Sequence, residues 1–402
     1  MKILLTSIGT YGDIVPILSY ANHLKQIGHE VTICSTIDWE EFIKNNNHTF
    51  IALAFDFKKL TLENASVIGK AFKSFYHFKK QLNEINKIVF NSLHKIAQNY
   101  DLIIGAGVQF SAFSIAEANN IAYKHILHSP VWLNSPNYTP PIINKQFSNK
   151  LINNILWKLF IVGINSLMIK NINRQRQKMG LLKINNIYYS LKKHLLISCD
   201  SNISKIPDGN IFIKQIPYIY FENKTDLPTK IQTFLSCKTP VIYFGFGSMP
   251  SYKKIKLLEI IVNVVKKLKC KAIIQKGWSA MYTKNITKNI LYIKEELPHE
   301  KLFKKLSLVV HHGGAGTVHN AARAGVVQLI IPHMLDQFYF GNIIYTKKIG
   351  AKPLQLNKLS EEKLYKSISS ALNNQELKSK AKEFSMNVLQ ENDFVKIDDV
   401  LL

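Results

Sequence analysis

The chain has 402 residues, 47% of them hydrophobic, with 52 Lys and Arg against 27 Asp and Glu and a formal net charge of +25. That length suits two domains, and the ordinary apolar fraction excludes a disordered or fibrous chain. Four scattered cysteines without metal-ligand spacing exclude a disulfide framework and read as free buried thiols of a cytoplasmic protein.

Residues 2–8 read as a buried parallel strand. Met1-Lys2-Ile3-Leu4-Leu5 resembles the start of a leader peptide, but Gly9, Gly12 and Asp13 interrupt the apolar run. Thr10 to Asp13 turn the chain, Ile14 to Ile27 form a helix closed by Gly28, and Val31 to Ser35 is the next strand. This β-loop-α-β unit lacks the full dinucleotide fingerprint. Phe55 to Tyr100 is helical and interleaves Phe72, Phe75, Tyr76 and Phe78 with Lys73, Lys79 and Lys80. Strands at Asp101 to Gly105 and Lys124 to His128 precede a long loop marked by Pro130, Pro136, Pro140 and Pro141.

Leu151 to Met179 is a long helical segment; its most apolar part, Ile155 to Ile169, is too short to span a bilayer and contains Lys158 and Asn165. Leu195 to Cys199 is the last clear strand of this half, and the polar stretch 221–238 reads as an interdomain linker. Strands then recur at Pro240 to Gly245, Ala272 to Gln275, Ile290 to Ile293, Leu308 to His311 and Val326 to Ile331, with helices between them. The alternation in both halves predicts an α/β protein of two doubly wound Rossmann-like domains facing across a cleft, spanning 1–220 and 239–380, with a helical tail over 381–402.

The run HHGGAGTVHNAARAGVVQLIIPHMLDQ, 311–337, organises the second half. A strand, then Gly313, Gly314, Ala315 and Gly316, then a helix start is how a chain presents unsatisfied N–H groups to an anion. Thr317 adds a hydroxyl and His312 a ring donor. Asp336 and Gln337 follow the next strand, so they face the same carboxyl-edge crevice. Gly245-Phe246-Gly247-Ser248 offers a second glycine turn for a diphosphate, and Trp278 a flat ring for a uracil or thymine. Glycines alone also fit tight turns in a nucleotide-free domain. His311 and His312 are adjacent on a strand and point to opposite faces, which argues against one metal ion between them.

The ordered set His-Gly-Gly-Ala-Gly-Thr, Pro332 and Asp336-Gln337 resembles the donor signature of family 1 glycosyltransferases of the GT-B fold. The similarity is to the sterol glucosyltransferase and glycopeptide-antibiotic glycosyltransferase branch. It includes Pro298-His299, Leu302-Phe303, FGFGSMP at 244–250, TSIGTYGDIVP at 6–16, and Trp157, Asn173, Arg176 and Gly180-Leu181 in the acceptor half. It covers nearly the whole chain, thinly between about 50 and 150.

The resemblance implies an inverting, metal-independent transfer of a hexose, glucose foremost, from a UDP-sugar co-substrate to a hydroxyl of a lipophilic acceptor, with no other cofactor. It implies Asp13 as general base, beside Thr10 and Gly12, and a tail that crosses back to the first domain. Asp336 and Gln337 would hold the sugar, and His299 would border the base. Asn320 stands where the plant branch has a ribose-binding glutamate. The helix N-terminus after Asp13 is expected to keep it ionised and make it a weaker base.

Two other readings remain at this point. One is a nucleotide-sugar-binding protein without turnover; the other is a basic membrane- or nucleic-acid-associated protein. The charge fits either an anionic partner or uniform lysine enrichment. A nucleic-acid partner would need a basic stripe with aromatic platforms, of which 57–80 offers a crude version, so none is expected. The same segment, with Leu151 to Met168, raises the expectation of peripheral contact with an anionic membrane at its inner face.

Overall fold

The structure, a computed structural model, describes residues 1–63, 71–219, 226–247, 254–277, 287–388 and 401, without the side chains of 71–78 and 254–256. The first domain is built on β1 (Lys2–Ile8), β2 (Glu30–Thr36), β3 (Thr49–Leu53), β4 (Leu102–Gly107), β5 (Ala122–Leu127), β6 (Leu195–Ser198) and β7 (Lys214–Ile216). The second is built on β8 (Val241–Gly245), β9 (Lys271–Gln275), β10 (Ile290–Ile293), β11 (Leu308–His311), β12 (Gln328–Ile330) and β13 (Gly350–Ala351). The sheets run β3-β2-β1-β4-β5-β6-β7 and β10-β9-β8-β11-β12-β13, every pairing parallel. Both therefore reverse direction beside their first strand, between β1 and β4 and between β8 and β11. In such sheets the crevice for a ligand opens at the carboxyl ends of those two strands.

The apolar runs explain the layers. Along β1, Leu4 and Ile8 join one buried cluster and Ile3 and Leu5 another, so the strand is covered by helices on both faces. In β11, Leu308 and Val310 likewise part company from Val309. Each fully buried Leu, Ile or Val of this kind contributes about 1.5–3 kcal/mol.

Three strands were not expected from sequence: β3, β7 and β13. All are sheet edges, where a strand is short and covered less completely, and so lacks a long apolar run. Thr49 and Ala52 of β3 are exposed. The first helix starts at Tyr11, earlier than the expected Ile14, because Thr10 and Asp13 cap it. The long helix is Lys150–Lys178, 29 residues, and by length and composition it is the one described helix able to cross a membrane. This corrects the judgement that the apolar stretch is too short. Its inner face nevertheless belongs to the protein: Trp157, Phe160, Met168 and Ile172 join the first domain's core, and Arg176 forks onto Glu117 at 2.7 and 2.9 Å.

Residues 221–225 of the expected linker lie outside the described residues. Leu227 and Ile231, later in it, are buried with Tyr243 and Ile273, so packing of the second domain begins there. The helix Gln375–Met386 packs along the helix Ala315–Arg323, and Leu401 is buried among Ile3 and Leu5 of the first domain.

Candidate active site

β1 and β4 end side by side, Ile8 opposite Gly107. Beyond β1, Gly9 lets Asp13 fold back so closely that a Cβ there would lie 2.2 Å from its Oδ2. The Thr10 N–H donates to this Oδ2 at 2.8 Å and the Thr10 hydroxyl donates at 3.1 Å. These bonds tie the N-cap to the third helical residue, as in a capping box. Oδ1 has no hydrogen-bond partner among the described residues and approaches Gly107, where a Cβ would lie 3.2 Å away. Gly12 is exposed on the same turn. Asp13 thus caps its helix with one oxygen and leaves the other unpartnered among the described residues. Burial raises its pKa above the ordinary value, more than the two Thr10 hydrogen bonds lower it. The expectation of a weakened base is reversed, because loss of water outweighs the helix terminus.

In the second domain β11 and β8 also end together, His311 opposite Gly245. His311 is fully buried; its Nε2 meets Gln328 at 3.0 Å and its Nδ1 accepts from the Gly313 N–H at 3.2 Å. It holds the turn. The His312 ring instead sits between the two glycine turns. A Cβ on Gly247 would lie 2.9 Å from its Cε1, and one on Gly314 would lie 2.6 Å from its Nε2. Gly247 and Gly313 have φ of 53° and 94°, a region that glycine enters without strain. Gly314 is the N-cap of the helix Ala315–Arg323, so the N–H groups of Ala315, Gly316 and Thr317 lie in its first turn without intrahelical acceptors. Asn320 donates its amide to the Gly316 carbonyl at 2.9 Å, leaving Oδ1 buried and unpartnered among the described residues.

After β12 the chain turns through Leu335, whose φ of 53° is left-handed and costs about 1–3 kcal/mol in a non-glycine residue. The turn delivers Asp336 to the head of the helix Gln337–Thr346. The buried Gln337 side-chain oxygen Oε1 accepts from the N–H groups of His333 at 2.8 Å and Met334 at 3.0 Å, so that oxygen pins the turn. The Asp336 pKa is pushed up to about 7, by burial first and by the Asp13 carboxylate second. A carboxylate from each domain thus lies beyond a strand's carboxyl end, Asp13 after β1 and Asp336 after β12.

The domains meet through groups that sequence reasoning did not single out. Arg323 donates to both oxygens of Asp200, at 2.8 and 2.6 Å, and to the Tyr218 carbonyl at 2.7 Å. The Asp200 N–H donates to His319 Nε2 at 3.2 Å, and the Tyr218 ring stacks on His319 at 4.3 Å. The Tyr218 hydroxyl faces the glycine turn that opens the helix Ala315–Arg323: a Cβ on Gly316 would lie 2.9 Å from it. His128, just past β5, meets Tyr218 edge-on at 5.6 Å, and neither of its buried ring nitrogens has a hydrogen-bond partner among the described residues. Burial lowers its pKa to about 3, which keeps it neutral. Of the ion pair, only Arg323 lies inside the glycine-rich run 311–337; pairing across domains leaves no local spacing.

Ser248 and Trp278 lie outside the described residues. His299 opens the short helix His299–Leu302, with its ring stacked on Phe303 at 4.5 Å and its Nε2 3.1 Å from the Tyr243 hydroxyl. Burial lowers its pKa to about 4. No group of three or more His, Cys, Asp or Glu among the described residues is placed to hold a metal ion. All four cysteines are free; Cys237 is only half-buried.

Residues 3–135 match the glycosyltransferase family 28 N-terminal domain, and residues 260–396 match the erythromycin biosynthesis protein CIII-like C-terminal domain. A sterol 3-beta-glucosyltransferase of Arabidopsis thaliana is 25% identical over 425 residues, covering 98% of this chain. The chain spans 64% of that relative's length. A vancomycin aglycone glucosyltransferase of Amycolatopsis orientalis is 22% identical, over 87% of this chain and 85% of its own. Among solved structures, spinosyn forosaminyltransferase SpnP superposes with a TM-score of 0.74 at 14% identity, over 100% of this chain and 99% of its own. Glycosyltransferase VinC in complex with dTDP gives 0.69 at 16% identity, over 96% and 94%. The solved structures share the two-domain fold.

Proposed function

We propose that this chain, whose two halves match glycosyltransferase domain models, is an inverting hexosyltransferase of the GT-B fold moving glucose from UDP-glucose to a hydroxyl of a lipophilic alcohol. The observation that carries this reading is the placement of a carboxylate just beyond a parallel strand in each domain, Asp13 with Oδ1 unpartnered among the described residues after β1 and Asp336 at the head of a helix after β12, with the charge of the first helping to raise the pKa of the second. Asp13 follows β1, at its sheet's point of reversal, and Asp336 follows β12, two strands from β8 in the other sheet.

The diphosphate seats on the N–H groups of Ala315, Gly316 and Thr317, beside His312. The positive end of that helix takes up the leaving group's charge, so this reading needs no metal. Asp336 accepts from sugar hydroxyls, the amide of Gln337 sits beside it, and Asn320 Oδ1 accepts from the ribose. The acceptor oxygen attacks C1 from the face opposite the diphosphate. The bond from C1 to the phosphate oxygen breaks, its electron pair leaves with UDP, and the acceptor's proton passes to Asp13 Oδ1. One displacement inverts C1. A carboxylate whose proton affinity is raised by burial suits that step.

The glucosyltransferase relatives support a hexose and lipophilic or aglycone acceptors, and the neighbour holding dTDP makes the base a point to test. Peripheral contact with an anionic membrane belongs to the same reading, because a lipophilic alcohol resides in a bilayer. The test is nucleotide release from UDP-glucose, other UDP-hexoses and dTDP-glucose, with and without lipid extract. Release from UDP-glucose that depends on the extract supports the proposal. Tight nucleotide binding with no release from any donor would leave a nucleotide-sugar-binding protein without turnover.

A further inference from the structure

The helix Lys150–Lys178 shows solvent a stripe that the fold does not use. Leu151, Ile155, Leu159 and Val162 are 73, 59, 63 and 66% exposed. At 3.6 residues per turn these positions fall on about a quarter of the helix circumference. Ile152 extends the row, and Ile142 is exposed on the loop before the helix. Single exposed aliphatics are ordinary on a protein surface; a continuous row is not.

Charge indicates what covers it. Between Glu117 and Asp200 the chain has nine lysines, two arginines and no acidic residue; all 27 acidic residues lie elsewhere. Uniform lysine enrichment does not clear a segment of carboxylates. Lys150 and Lys158 are exposed on the helix itself and Lys145 on the loop before it. An aliphatic row bordered by lysines, whose stems are apolar and whose heads reach outward, matches a helix lying in the headgroup layer of an anionic bilayer. The inner face of the same helix leads toward the crevice. Trp157 Nε1 donates to the Tyr138 carbonyl at 3.0 Å, and the Tyr138 ring packs edge-on against Tyr339 at 5.1 Å, on the helix that begins at Gln337.

We propose that the outer face of Lys150–Lys178 docks on an anionic lipid bilayer and sets the acceptor side of the crevice at its surface. The docking face stands on exposure and charge; only its purpose, access to a membrane-dissolved acceptor, rests on the proposed glycosyl transfer.

The test is sedimentation of the full chain with phosphatidylcholine vesicles with and without phosphatidylserine. Wild type should sediment with the phosphatidylserine vesicles at low salt and be released at high salt. Ile155→Glu/Leu159→Glu alters only exposed positions, and it should cut the bound fraction at least about tenfold while UDP affinity is kept. Failure of wild type to bind, equal binding to both vesicle types, or undiminished binding of the double variant would overturn the proposal. So would a solution dimer that the double variant dissociates, which would assign the stripe to a second copy of the chain. Transfer to a detergent-soluble acceptor without vesicle binding sinks the docking face alone. Vesicle binding without release from any donor supports the docking face and sinks the enzyme reading.

Discussion

Arg323 of the second domain and Asp200 of the first form a two-point ion pair across the domain interface, with side chains 9 and 1% exposed. Water cannot replace either partner at such a site. Arg323→Met should therefore destabilise the protein by about 3–5 kcal/mol, because Asp200 is left as a buried charge. Adding Asp200→Asn should recover part of the loss. Denaturant unfolding checks both, and a single variant as stable as wild type would show that the pair does not hold the domains together.

Gly314→Val tests the anion turn. The new Cβ would lie 2.6 Å from His312 Nε2, so either the ring or the turn must move. UDP affinity should fall by about tenfold or more, the scale of one lost charge-assisted hydrogen bond. Titration calorimetry measures it, and an unchanged affinity would place the diphosphate elsewhere.

Asp336 sets a pH dependence with a definite sign. Its pKa is raised to about 7, so the folded protein holds the proton more tightly than the unfolded chain does. Its contribution to stability is fully present below the ordinary carboxylate value and is lost as pH rises to about 7. Asp336→Asn should flatten that part of the stability profile and gain on wild type above it. Thermal unfolding across pH reads this directly; parallel profiles for the two proteins would mean that Asp336 titrates normally. The same variant should cripple transfer and leave UDP binding intact.

The central strands, the glycine turns and the Asp13 and Asp336 positions were legible because each has a local signature: an apolar run, a strand–glycine–helix sequence, a carboxylate at a strand's carboxyl end. The edge strands β3, β7 and β13 were not, since partial burial leaves a weak apolar pattern. Asp200, Tyr218 and His128 were hidden because their meaning comes from the other domain or from burial. Asp13 was read with the wrong sign of pKa shift for the same reason. Helix polarity is visible in sequence, whereas the depth of a crevice is not. Residues 64–78 of the aromatic and lysine-rich segment 57–80 fall outside the described side chains, so the docking face rests on Lys150–Lys178 instead.

The most direct test of the account is the turnover of Asp13→Asn. Asparagine keeps an oxygen for the Thr10 cap and nearly the same volume, so the helix start should survive. It cannot take the acceptor's proton. The turnover number should fall by about a hundredfold or more, the scale of a lost general base, while UDP affinity stays at the wild-type value because the anion turn lies in the other domain. A folded Asp13→Asn protein that binds UDP normally and turns over near the wild-type rate would contradict the account and leave Asp13 as a helix cap alone.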